Sequence, residues 1–188
     1  AFHALPPKAG TNQLLKVLRT ARAAALERGY KMGIWSSEWL LSRPRSVIPA
    51  LQEIASEDGT DILVIAYVRR HDAWIRSSYV QWGLKHKTYS GDVVSFSQFR
   101  DMRAKTLNFA DLLQPWHEAF GKRLMVRNFD VAGDVVIDFV KSIGLDSSKL
   151  TLRHSNESPS DEELFLRSMF NKQFGGKVKP LEFSDVLG

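Results

Sequence analysis

Two adjacent arginines, Arg69 and Arg70, close an unbroken run of seven apolar or aromatic residues, Ile62 to Val68. Guanidinium groups recognise phosphate, sulfate and carboxylate through paired N–H donors. His71-Asp72 then offers a helix cap, and Ile75, Tyr79 and Trp82 recur at helical spacing. The pattern puts two cations where a strand hands over to a helix, and a helix N-terminus itself favours an anion. Ser77 lies eight residues after Arg69. A strand end and the second helical turn can therefore approach one anion together, most simply a phosphate. The plainer reading of the pair is that it solubilises a strand end.

The apolar run is rich in Val and Ile and predicts a strand buried on both faces. Elements on either side follow from periodicity and punctuation. Thr11 is a candidate cap for a helix from Asn12 to about Arg28, which Gly29 stops. Lys31 to Ser36 reads as a short strand leading into Ser36-Ser37-Glu38, and Arg45 to Ala55 as a helix. Further helices are predicted from Ser95, from Asn108 to Phe120, from Gly133 and from Asp161 to Lys172, with a third strand at Arg123 to Arg127. Strands alternating with helices predict an α/β fold, a three-layer α/β/α sandwich with a mainly parallel sheet. Ile62 to Val68 is expected in its interior, at the crevice where such sheets bind ligands.

A length of 188 residues predicts a single domain over 1–188, with 173–188 a poorly patterned tail. The net charge of +5 comes without a dense basic run, so it reads as a ligand-site bias rather than a nucleic-acid tail. The chain has no cysteine, which excludes disulfides, thiolate catalysis and zinc–cysteine sites. Its five histidines are scattered, and no metal is expected. No apolar run is long enough to span a bilayer and no signal peptide is evident, so a cytoplasmic protein is expected. A nucleotide kinase would carry GxxxxGK[ST], which the chain lacks.

The segment YVRRHDAWIRSSY (Tyr67 to Tyr79) resembles the 3′-phosphate motif of the sulfotransferases, in particular the bacterial carbohydrate-type branch. There a strand ends in Arg, with Ser eight residues on and often Tyr two later. WSSEWL (Trp35 to Leu40), the stretch from Pro115 to Leu145 ending in Ile-Gly-Leu, and SNESPS (Ser155 to Ser160) resemble family segments in the same order. The resemblance spans about residues 30 to 172. It implies a P-loop-kinase-like fold, 3′-phosphoadenosine 5′-phosphosulfate as co-substrate, and a hydroxylated glycan or glycolipid acceptor. It implies that Arg69 and Ser77 hold the 3′-phosphate and that Glu38 is the general base. Asn156, Glu157 and Ser158 lie in a loop that could approach the nucleotide, or in a plain turn.

The family also has a Pro-Lys-x-Gly-Thr-Thr loop that cradles the 5′-phosphosulfate. PKAGTN (Pro7 to Asn12) resembles it, which makes Lys8, Gly10 and Thr11 donor-binding candidates. Only AFHALP precedes it, too short and proline-broken for a buried strand. The favoured expectation is therefore a loop and cap, with the phosphosulfate loop upstream of Ala1 and little transfer by this chain alone. A non-catalytic nucleotide-binding module is the alternative.

Overall fold

Residues 2–104, 108–152 and 159–187 are described in a computed structural model. Helix accounts for 62% of the described residues and strand for 7%. The strands β1 (Val64–Val68) and β2 (Leu124–Asn128) pair with each other in a two-stranded parallel sheet. Among the described residues no further strand joins it.

The chain divides into two compact units. The first comprises Ala1–Tyr67 and Asn108–Arg127. It holds α1 (Pro7–Glu27), α2 (Pro44–Asp58) and α5 (Phe109–Phe120). Proline at the first position of α1 and α2 suits a helix start, where its missing N–H has no partner to lose. Gly29, at φ 72°, turns the chain out after α1. Leu14 and Leu15 of α1 meet Val47, Ala50 and Ile54 of α2 and Trp116 of α5 in one buried cluster. Val64 of β1 and Leu124 of β2 pack against the edge of that cluster, half-buried. The Trp116 indole N–H reaches the Leu41 carbonyl at 3.2 Å, so the ring is buried without an orphaned donor. On the outside, Arg19 bridges Glu53 and Glu57 across the two long helices.

The second unit comprises Val68–Leu107 and Asn128–Gly188. It holds α3 (His71–Ser78), a π-helical segment Tyr79–Lys85, α4 (Phe96–Arg103), α6 (Val135–Ser142), α7 (Asp161–Asn171) and α8 (Pro180–Leu187). Ser95 and Gln98 form a reciprocal capping box at the start of α4. Asp134 and Ser160 cap α6 and α7 through their side chains. Ile75, Leu84, Phe99, Val178 and Phe183 are among its buried apolar residues.

This architecture overturns the expected α/β/α sandwich. Ile62 to Val68 is not an interior strand: only Val64–Val68 is extended in the sheet, all five residues are half-buried, and in a two-stranded sheet each strand is an edge. An apolar run reports that a segment is partly covered, and helices of the first unit cover this one. Lys31 to Ser36, predicted as a short strand, is not part of the sheet. Tyr30, Met32 and Ile34 there are more than half exposed. The predicted third strand at Arg123 to Arg127 is present as β2, one residue further along.

Candidate functional site

Arg69 follows β1 directly, and Arg70 stands at the N-cap position of α3. The two guanidiniums have different surroundings. Arg70 pairs with Asp72 two residues on, through Nε at 3.0 Å and through Nη2. That pairing holds the Asp72 carboxyl well below the usual range, at about 2. Arg70 is therefore an ion-pair partner. Its backbone N–H is also used, donating to Asp130 Oδ2 at 2.7 Å.

Arg69 is anchored at one corner only. Its Nε donates to Asp130 Oδ1 at 3.3 Å, and its guanidinium lies 5.2 Å from the centre of the Phe129 ring. Asp130 is brought there by a tight turn after β2, in which its N–H donates to Asn128 Oδ1 at 2.9 Å. Nε and the ring face fix the plane of the guanidinium, and the two terminal amino groups are left over.

Arg69 lines a pocket of about 290 Å³ together with Ala73, Arg76, Ser77 and Val80. The helical spacing of Ala73, Arg76, Ser77 and Val80 puts one face of α3 and the first turn of the π-helical segment along the pocket. Arg69 and Ser77, predicted to converge, thus line the same hollow. Among the described residues neither the Arg76 guanidinium nor the Ser77 hydroxyl has a hydrogen-bond or ion-pair partner, and both are exposed. Arg76 and Asp130 were missed by sequence reasoning. Arg76 sits one residue before the motif serine, and the arginine–serine spacing carries no information about it. Asp130 comes from a distant strand end, and only the Asn-x-Asp turn signal in RNFD hinted at its geometry.

The remaining candidates lie in the first unit. Pro7 to Asn12 is neither a loop nor a cap: it is the first turn and a half of α1. Gly10 is buried against α2, where a Cβ would come within 2.9 Å of Ser46 Oγ. The Thr11 hydroxyl donates to the Pro7 carbonyl and lies 3.0 Å from the Ser46 carbonyl as well. Both residues serve the close approach of α1 and α2. Lys8 is exposed at the helix start. Glu38 is exposed in a turn, with no hydrogen bond to its carboxylate among the described residues. Asn156, Glu157 and Ser158 lie outside the described residues. Of the five tryptophans, Trp116 is buried, Trp74 and Trp82 are half-buried, and Trp35 and Trp39 are exposed. Tyr79 packs inside the second unit and donates its hydroxyl to the Val94 carbonyl at 2.8 Å.

A larger hollow of about 440 Å³ in the first unit has Asp61 and Arg123 on its wall. These are bonded to each other at 2.8 Å, so its charges are already matched. Among the described residues no cluster of three or more His, Asp or Glu could hold a metal ion, and no helix is long and apolar enough to cross a membrane. No protein-family model, curated protein or solved structure matches the chain.

Proposed function

We propose that the chain binds the 3′-phosphate of a 3′-phosphoadenosine nucleotide at Arg69, Arg76 and Ser77. We further propose that it serves sulfuryl transfer from 3′-phosphoadenosine 5′-phosphosulfate to a hydroxyl of a glycan or glycolipid. The observation that carries the reading is that Arg69, Arg76 and Ser77 line one pocket while, among the described residues, the Arg69 terminal amino groups, the Arg76 guanidinium and the Ser77 hydroxyl have no hydrogen-bond or ion-pair partner. A phosphate dianion accepts several charge-assisted hydrogen bonds at once, and two guanidiniums with a hydroxyl match it in charge and donor count. Asp130 helps by orienting Arg69 while opposing only part of its charge.

In transfer, the acceptor oxygen attacks sulfur in line with the departing phosphate oxygen, and charge spreads over the equatorial sulfuryl oxygens, as in phosphoryl transfer. A carboxylate takes the acceptor's proton, and Glu38 is the proposed base. A second reading, a nucleotide-binding module without transfer, is favoured by one specific observation. Gly10 and Thr11 are engaged in helix packing rather than held open as a cradle for the sulfuryl end.

Calorimetric titration tests the binding claim. Adenosine 3′,5′-bisphosphate is expected to bind and adenosine 5′-monophosphate, which lacks the 3′-phosphate, to bind far more weakly. Equal affinities would reject the site. Transfer of labelled sulfate to a hydroxylated glycan panel then separates the two readings. Turnover that falls in Glu38→Gln without loss of bisphosphate affinity supports the enzyme; bisphosphate binding with no turnover, by this chain or by a version carrying an upstream phosphate loop, supports the module.

A further inference from the structure

The pocket is built partly from an unusual backbone. Val80, on its wall, lies in the π-helical segment Tyr79–Lys85, which continues α3 without a break. A π-helix is a poorer conformation than the α-helix it replaces and persists where surrounding contacts impose it, often beside functional sites.

Those contacts are specific here. The carbonyls at the end of the segment are each taken by a separate partner. Gln81 O accepts the His86 N–H at 2.8 Å. Trp82 O accepts from Thr88 through N–H at 3.3 Å and Oγ1 at 3.2 Å. Gly83 O accepts the Tyr89 hydroxyl at 3.1 Å. Leu84 O accepts from the buried Asn171 side chain of α7 at 2.7 Å. The Tyr79 ring from the start of the segment closes on Gly83, where a Cβ would meet ring carbons at 2.5 and 2.9 Å.

Lys87 closes the arrangement. It is 1% exposed, and its ammonium donates to the Phe174 and Gly176 carbonyls at 2.8 and 2.7 Å. Its own carbonyl accepts the Val178 N–H at 3.0 Å, in an antiparallel bridge. Residues 174–178 are thereby strapped to the chain just after the π-helical segment, and Val178 among them is buried. A buried ammonium satisfied by backbone carbonyls is costly to disturb, so the strap is held at one point by a strong tie.

We infer that this strap and the π-helical register form a positioning device for the anion pocket, in which Lys87 and Gly83 act through the backbone to present Arg76, Ser77 and Val80. Relaxation of the segment toward α-helical pairing changes the rotation between its two ends. The Leu84 end is tied to α7 and the strap, so the change is felt at the Ser77 end. The inference rests on the phosphate reading of the pocket proposed above.

The test compares wild type with Lys87→Met, Gly83→Ala and the milder Tyr89→Phe, each at a temperature where circular dichroism shows it folded. Affinity for inorganic phosphate and for adenosine 3′,5′-bisphosphate is measured alongside the rate of tryptic cleavage after Lys177. The expected result is faster cleavage in Lys87→Met and an affinity loss of about fivefold or more, the lower end of typical coupling between sites. Gly83→Ala should lose affinity without the faster cleavage, and Tyr89→Phe should lose less of it. Variants that melt earlier or open the strap, yet bind the bisphosphate as wild type does when folded, would overturn the positioning role alone. Failure of the wild-type chain to bind either probe would overturn the phosphate reading and the device built on it.

Discussion

Two helix starts in this chain carry sequence patterns that spell phosphate binding, and they use their side chains in opposite ways. At α1, PKAGTN has the lysine, glycine and threonine of a phosphate cradle. There the glycine fits against Ser46 and the threonine hydroxyl is held by backbone carbonyls. At α3, the arginine and serine of VRRHDAWIRSS line one pocket with a second arginine, and among the described residues the serine hydroxyl and the second guanidinium have no partner. The lesson is about valence. A motif's residue types and spacing become a site only where folding leaves their hydrogen-bonding capacity unused. The sequence shows the capacity of each group and hides its consumption by partners 35 or 61 residues away.

The comparison can be broken most sharply by removing the best-placed donor. Arg69→Ala is expected to weaken adenosine 3′,5′-bisphosphate by about 1.5–3 kcal/mol, the scale of hydrogen bonds to a charged group, while Lys8→Ala leaves calorimetric affinity for the 3′-phosphate end unchanged. Loss of affinity in Lys8→Ala instead would move the site to α1. Gly10→Val tests the other half. Overpacking against Ser46 should cost about 1–3 kcal/mol of stability in a denaturant melt, with bisphosphate affinity of the folded protein intact. Arg76→Ala should weaken bisphosphate by about 1–2 kcal/mol, less than Arg69→Ala because its guanidinium is more exposed and nothing preorients it. A loss larger than that of Arg69→Ala would make Arg76 the main anchor.

The smallest effect concerns pH and separates the two units. Burial, and then Lys85 and Arg167, push the His86 imidazole below its ordinary value of 6.5. The unfolded chain therefore takes up that proton first as pH falls. The stability His86 provides is present above pH 6.5 and is lost as pH drops through its lowered value. In the first unit the Arg19 bond lowers the Glu57 carboxyl, so that contribution is lost only below the ordinary carboxylate value of 4.5. Hydrogen exchange between pH 7 and 5 should show the second unit loosening around Tyr79–Lys85 while the α1–α2 pair keeps its protection. The opposite order would contradict these assignments.

Much of the helical skeleton was legible. The apolar stripes of α1, α2, α5 and α7, the capping residues Ser95 and Asn108, and the stops at Gly29, Gly121 and Gly144 are local signals, and local interactions decide them. The sheet was not legible, because the number of partners a strand has is a long-range property. Ile62 to Val68 reads alike whether it lies among several strands or beside β2 alone. The start of α1 was misread because Pro6-Pro7 is punctuation that also opens a helix, and the helix began five residues before the expected Asn12. At the site, Arg69 and Ser77 were visible from their spacing. Arg76 was hidden because the pattern gives it no role, and the π-helical register was hidden because its causes, Asn171 and the strap on Lys87, lie about 90 residues downstream.

The central claim is that phosphate chemistry belongs to the start of α3 and not to the start of α1. A crystal structure of the chain with adenosine 3′,5′-bisphosphate tests it directly. The 3′-phosphate is expected within hydrogen-bonding distance of the Arg69 terminal amino groups, the Arg76 guanidinium and Ser77 Oγ, with the Arg69–Asp130 bond retained. A 3′-phosphate seated on Lys8 and the first turn of α1, with the Arg69 pocket filled only by solvent, would contradict it.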